Sequence, residues 1–260
     1  MTDVRVIPAA EGAVGTITLN HPKANSYDLR FMQDLDAAIE SHLANDVVKV
    51  VVLRSALEKF FSAGADIKAF QANSTADNMK MIRFAHRSLR KMGESPKVFI
   101  AQINGFALGG GLEMALACDL RFAAEGDYKV GLPEVTLGLL PGNGGTQRLP
   151  RLIGRTKALD LMITGRTVDP REALELGFVD HVFPAADLPS ETMKYAQRLA
   201  AGASLAVGRI KRAVMEGMDL PLDDALALER DLMEPLFDTQ DAKEGIAAFA
   251  EKRQPTYSGR

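Results

Sequence analysis

The sequence predicts an α/β fold. Apolar, β-branched runs recur through the first half, segments with helical spacing lie between them, and from about residue 154 the chain reads as helix. The first run, Val14 to Leu19, is a strand ended by Asn20-His21-Pro22. Residues 28–43 follow with Leu29, Met32, Leu35, Ile39 and Leu43 on one helical face, and Ser26 as the N-cap. Val47 to Leu53, broken only by Lys49, reads as a strand buried on both faces; Val98 to Ile103 and Leu120 to Ala124 read likewise. In the second half, Asp169-Pro170-Arg171-Glu172 has the cap, N1 proline and N3 glutamate of a helix start, and Gly177 suits its stop. Further helices are predicted at roughly 190–201, 204–217, 222–237 and 240–252.

With 260 residues, the chain suffices for one large domain or a domain with a helical appendage. An apolar share of 47% and a charged share of 25% suit a buried core and argue against disorder. The single cysteine, Cys118, cannot form an internal disulfide, which points to a reducing, cytoplasmic setting. The first residues, from Met1 to Arg5, show neither a basic nor an apolar leader segment, the last carry no retention tag, and no apolar run is long enough for a membrane span. A net charge of -3 argues against nucleic acid as a partner, so an anionic ligand has to be met by local cations.

Three stretches carry candidate chemistry. Phe61-Ser62-Ala63-Gly64-Ala65-Asp66-Ile67-Lys68 follows the strand at 47–53; its small residues admit a ligand to the backbone, and it also reads as a tight turn with Asp66 capping a helix. Asn104 to Glu113 contains three consecutive glycines between a strand and a helix, an arrangement that aims backbone N–H groups at one spot or serves a packing turn. It ends in neither a phosphate-loop Lys-Ser/Thr nor a dinucleotide fingerprint. The third, Val130-Gly131-Leu132-Pro133-Glu134, runs on through Gly138 to Pro141-Gly142-Asn143-Gly144-Gly145-Thr146-Gln147-Arg148; alone it reads as a surface turn.

Two glutamates sharpen the picture. Glu113 is the only charged residue between Lys97 and Asp119, and Glu134 the only one between Lys129 and Arg148. A carboxylate in apolar surroundings is costly unless it is paired or hydrogen-bonded. If both face one site, desolvation and repulsion separate their pKa values, and one serves as base while the other serves as acid. Two carboxylates with glycine-built donor loops suit an enolate whose oxygen is held by backbone N–H groups. A glycosidase is disfavoured, because the chain has no Trp for a sugar platform. There is no metal-binding spacing, and His21, His42, His86 and His181 read as surface or capping residues.

These stretches, with the ending Glu244-Gly245 to Phe249-Ala250-Glu251-Lys252-Arg253, resemble the crotonase (enoyl-CoA hydratase/isomerase) superfamily over essentially the whole chain. The resemblance implies a spiral of repeated ββα units over residues 1–195 and a helical trimerisation region over 196–260, giving homotrimers that commonly stack as hexamers. It implies an acyl-CoA substrate, with coenzyme A as part of that substrate rather than a separate cofactor. The N–H groups of Ala65 and Gly110 would form the oxyanion hole, Glu113 would activate water, and Glu134 would protonate the α carbon. Substrate contacts would come from Lys23, Ala63, Asp66, Ile67, Lys68 and Gly142, the last helping to hold the second carboxylate's loop, and from Lys252 reaching a neighbouring subunit's ligand. Retention of both glutamates implies a 2-enoyl-CoA hydratase; a double-bond isomerase and a non-catalytic binder are the alternatives. Ala24-Asn25-Ser26-Tyr27-Asp28 departs from the family's usual Ala-Leu-Asn-Ala-Leu, and Val130 stands where Phe is frequent, which leaves the acyl preference open.

Overall fold

The architecture comes from a computed structural model that describes residues 5–260. The expected lack of a leader rests largely on Met1–Val4, which lie outside that range. Strand β1 (Val6–Glu11) pairs antiparallel with β2 (Val14–Leu19). The sequence pattern misses β1 because it is an edge strand carrying Pro8, and only Val6 of it is buried. Helix α1 (Leu29–Leu43) buries Phe31, Met32, Leu35, Ala38 and Ile39. Its cap is Asp28 rather than Ser26: the Asp28 carboxylate accepts from the Phe31 N–H and pairs with Arg5 at 2.8 Å. Ser26 lies two residues too early, because Tyr27 still bridges the extended backbone at Ala65.

A repeating pattern then builds the body. Strand β3 (Val50–Ser55) leads to short β4 (Phe60–Ser62) and to helices α2 (Ile67–Ala72) and α3 (Thr75–Glu94). Strand β5 (Val98–Ile103), buried at every residue, leads to β6 (Phe106–Leu108) and helix α4 (Gly110–Leu116). Strand β7 (Leu120–Ala124) leads to β8 (Val130–Gly131), a 3-10 turn at Glu134–Leu137 and helix α5 (Gly145–Ile153). Each long strand joins one sheet, each short strand joins a second, and helices carry the chain back. This is the spiral of ββα units that the resemblance implied.

Helices α6 (Arg155–Thr164) and α7 (Pro170–Leu176) follow, α7 starting on Asp169 and stopping on Gly177 as its sequence predicts. The predicted all-helical second half is interrupted by β9 (His181–Phe183), which pairs parallel with β7 and completes the order β1-β2-β3-β5-β7-β9; the second sheet is β4-β6-β8. Three residues are too few to leave a strand pattern among helices. Helix α8 (Leu188–Ala200) packs over β3, β5 and β7, and α9 (Ser204–Gly217), α10 (Leu222–Met233) and α11 (Gln240–Glu251) complete the chain. The predicted helix 222–237 loses α geometry at Met233 and continues as a 3-10 turn, Glu234–Leu236, around Pro235. His42 is buried rather than superficial, its Nε2 lying 3.0 Å from the Thr16 carbonyl between α1 and β2. Among the described residues no helix is long and apolar enough to cross a membrane.

Candidate active site

The parallel pairing β4-β6-β8 is what brings the three sequence stretches together, since each leaves one of these short strands at the same end. After β4, the Tyr27 N–H donates to the Gly64 carbonyl and the Asp66 N–H donates to the Tyr27 carbonyl, both at 2.9 Å. The two bonds bracket Ala65 and leave its own N–H without a hydrogen-bond acceptor among the described residues. Asp66 is the cap of α2, its Oδ1 accepting from the Lys68 N–H at 2.9 Å and the Ala69 N–H at 3.3 Å. Asn25 braces the preceding loop: its side chain donates to the Phe61 carbonyl at 2.9 Å and accepts from the His21 N–H at 2.7 Å.

After β6, Gly109 turns the chain with φ +54 and ψ -129, and α4 begins. Gly110 is the first helical residue, so its N–H has no intrahelical acceptor and points out of the helix end. A Cβ placed on Gly64 would lie 3.3 Å from the Gly110 nitrogen, so the Ala65 and Gly110 loops abut.

Glu113 lies one turn into α4 and is 1% exposed. Its Oε1 accepts two N–H bonds, from Asn143 and Gly145, each at 2.7 Å. Burial pushes its pKa up to about 7, and the charge of Glu134 adds to that, against the lowering effect of the two N–H bonds and of Arg148. Glu134 opens the 3-10 turn after β8. Its Oε1 would be 2.8 Å from a Cβ on Gly109, the residue before Gly110, and its Oε2 is buried without a hydrogen-bond partner among the described residues. Burial raises its pKa as well. Two up-shifted carboxylates and two unspent N–H donors thus share one end of the small sheet, the disposition that proton transfer around a developing oxyanion requires.

The Gly142 carbonyl takes the His86 Nε2 contact at 2.6 Å, and the two residues that donate to Glu113, Asn143 and Gly145, follow it in the same loop. Lys23, Lys68 and Lys252 are exposed, Lys252 capping α11 with φ +56; Ile67 is exposed and Ala63 half-buried.

Tyr27 and Asn143 are site residues that the sequence pattern does not single out. Tyr27 is 3% exposed, its hydroxyl accepts from Asn143 Nδ2 at 2.5 Å, and a Cβ on Gly110 would overlap that hydroxyl. Burial, then the charges of Glu113 and Glu134, hold the phenol protonated, its pKa well above the usual value. The departure at Ala24–Asp28 was the signal that could have found it.

Comparison with known proteins agrees with the geometry. A family model described as enoyl-CoA hydratase/isomerase matches residues 9–260. A putative enoyl-CoA hydratase/isomerase of Bacillus subtilis (strain 168) is 41% identical over 244 residues, covering 94% of each chain. A short-chain-enoyl-CoA hydratase of Clostridium acetobutylicum is 38% identical over 250 residues, 96% of this chain and 95% of that one. The solved structure of an enoyl-CoA hydratase from Geobacillus kaustophilus HTA426 superposes with a TM-score of 0.97 at 46% identity, covering 100% of this chain and 98% of the other.

Proposed function

The chain belongs to the enoyl-CoA hydratase/isomerase family, and on that premise we propose that it adds water across the C2=C3 bond of a 2-enoyl-CoA thioester. The observation that carries this reading is the meeting of Glu113 and Glu134 beside the unspent N–H groups of Ala65 and Gly110. The thioester oxygen accepts from both N–H groups. Water attacks the β carbon while Glu113 takes its proton; the C=C electron pair moves onto the thioester as an enolate. Glu134 then gives a proton to the α carbon; the proton taken by Glu113 passes back to Glu134, directly or through solvent, and the net change is the addition of one water. Each oxyanion donor is worth ~2.7–4 kcal/mol in the transition state and each proton transfer ~10²–10⁴-fold. The reaction needs one of the two carboxyls ionised and the other protonated: with neither protonated there is no acid, with both protonated there is no base.

Ala63, Asp66, Ile67, Lys68 and Lys23 are assigned to the coenzyme A and acyl contacts, Gly142 to holding the second carboxylate's loop, and Lys252 to a ligand in a neighbouring subunit. The large exposed side chains Ile210, Val214, Phe237 and Phe249 on and between the C-terminal helices support assembly as a trimer or a dimer of trimers.

The test is to offer crotonyl-CoA and a 3-enoyl-CoA to the purified protein. Rapid loss of the enoyl-thioester absorbance with crotonyl-CoA, and slower or no conversion of the 3-enoyl-CoA, is the expected result. Conversion of the 3-enoyl-CoA to its 2-enoyl isomer without hydration of crotonyl-CoA would make it an isomerase instead.

A further inference from the structure

The bonds around Tyr27 and Asn143 run unbroken from one half of the site to the other. At one end the Tyr27 backbone brackets Ala65, through the Gly64 carbonyl and the Asp66 N–H. In the middle the Tyr27 hydroxyl accepts from the Asn143 side-chain amide at 2.5 Å, across 116 residues of sequence. At the other end the Asn143 backbone N–H donates to Glu113 Oε1 at 2.7 Å, and the Asn143 carbonyl accepts from Arg148 Nη1 at 2.9 Å. Both side chains are buried, Tyr27 at 3% and Asn143 at 3% exposure. A buried phenol and a buried amide are each costly to leave unpaired. Here the Asn143 amide nitrogen and the Tyr27 oxygen pair at the junction of the two loops that set the oxyanion donor and the first carboxylate, while Asn143 Oδ1 is buried without a partner among the described residues.

We propose that Tyr27 and Asn143 are positioning residues for the reaction described above: their side-chain bond fixes the 142–145 loop, and through it the Glu113 carboxylate, at a set distance from the Ala65 N–H. Without that bond, Asn143 is held only by its backbone, and the loop that grips Glu113 loses its tie to the Ala65 segment. A loosened grip weakens the two N–H bonds that stabilise the ionised carboxylate. The groups facing Glu113 are then Glu134, Arg148 and the phenol ring, with burial unopposed by the N–H pair. The expected consequences are a Glu113 that holds its proton to higher pH and a water-activating group displaced from its working position, where displacements near 1 Å cost ~10²-fold.

Three variants make the test. Tyr27→Phe removes the hydroxyl and keeps the ring and both backbone bonds; Asn143→Ala removes the amide and keeps the backbone N–H to Glu113; the third combines them. The first readout needs no turnover: titration of the Glu113 carboxyl in the free protein, followed by NMR of glutamate labelled with carbon-13 at the carboxyl and assigned with Glu113→Gln. We expect the midpoint to move upward in each single variant and no further in the double. The second readout is kcat for crotonyl-CoA, expected to fall about tenfold or more in each single variant, with KM little changed and the double no worse than the singles. A Tyr27→Phe protein that titrates like the unaltered chain, or losses that multiply in the double variant, would overturn the proposal. Should the unaltered chain leave crotonyl-CoA untouched, the hydratase reading falls on that result, and the titration still decides the positioning role. If Tyr27→Phe does not fold, the titration of Asn143→Ala decides the matter in the same way.

Discussion

Glu113 costs the fold stability. Its carboxyl is raised to about 7 from the ordinary 4.5, chiefly by burial. For a carboxyl raised on folding, the native state binds the proton more tightly than the unfolded chain, so the contribution is fully present below about 4.5 and is lost as pH rises through about 7. Above that the ionised group is a penalty of up to ~3 kcal/mol. Glu113→Gln keeps an acceptor for the Asn143 and Gly145 N–H groups and cannot ionise. It is therefore expected to unfold at higher urea concentration than the unaltered protein at pH 8, with the gap closing as pH falls to 5. A variant less stable than the parent at pH 8 would contradict burial as the cause of the shift. The glutamates were legible in the sequence because a single charge in a long apolar stretch stands out. Tyr27 and Asn143 were not: the departure at Ala24–Asp28 marked a segment without a role, and only folding brings Tyr27 into contact with Asn143.

At the scale of elements, α4 sits so close to β4 that Gly111 leaves no room for a side chain: a Cβ there would overlap the Ser62 carbonyl, which is backbone and cannot rotate away. Gly111→Ala should force α4 off the small sheet at ~1–3 kcal/mol and drag the Gly110 N–H with it. Urea unfolding checks the first effect and crotonyl-CoA turnover the second; a variant unchanged in both would mean the packing gives freely. The sequence showed that a glycine run met a helix here, yet it hid the sheet beneath. Strands β4, β6 and β8 span two or three residues, too few for any alternation to register. Helix α3 escaped for another reason: half of its twenty residues are exposed, and the buried stripe Met81, Ala85, Ser88, Leu89, Met92 is thin and partly polar. The long central strands were plain, because burial on both faces leaves continuous apolar runs.

Over the whole molecule, the helical C-terminal part is fastened to the body by a buried cation. Lys211 on α9 is 8% exposed, and its ammonium donates to the Met92 carbonyl at 2.6 Å, the Lys97 carbonyl at 2.8 Å and Asp119 Oδ2 at 2.8 Å. Asp119 also accepts from the Phe99 N–H, so one ion pair joins α9, the end of α3 and two central strands. Lys211→Ala leaves Asp119 buried and unpaired, and should cost ~3–5 kcal/mol, measured by urea unfolding at pH 7; a loss under ~1 kcal/mol would mean the carboxylate finds water or another partner. The sequence announced an α/β body followed by helices, but not this lysine, which reads like any other charge on an amphipathic helix.

The central claim is that one pair of carboxylates, beside two backbone N–H groups, hydrates an enoyl thioester. Its most direct test is the hydration rate of crotonyl-CoA by the unaltered protein, Glu113→Gln and Glu134→Gln, with folding of each checked by circular dichroism. We expect rapid hydration by the first and a loss of ~10²–10⁴-fold or more in each variant. A folded Glu113→Gln or Glu134→Gln protein that hydrates crotonyl-CoA near the unaltered rate would contradict the claim.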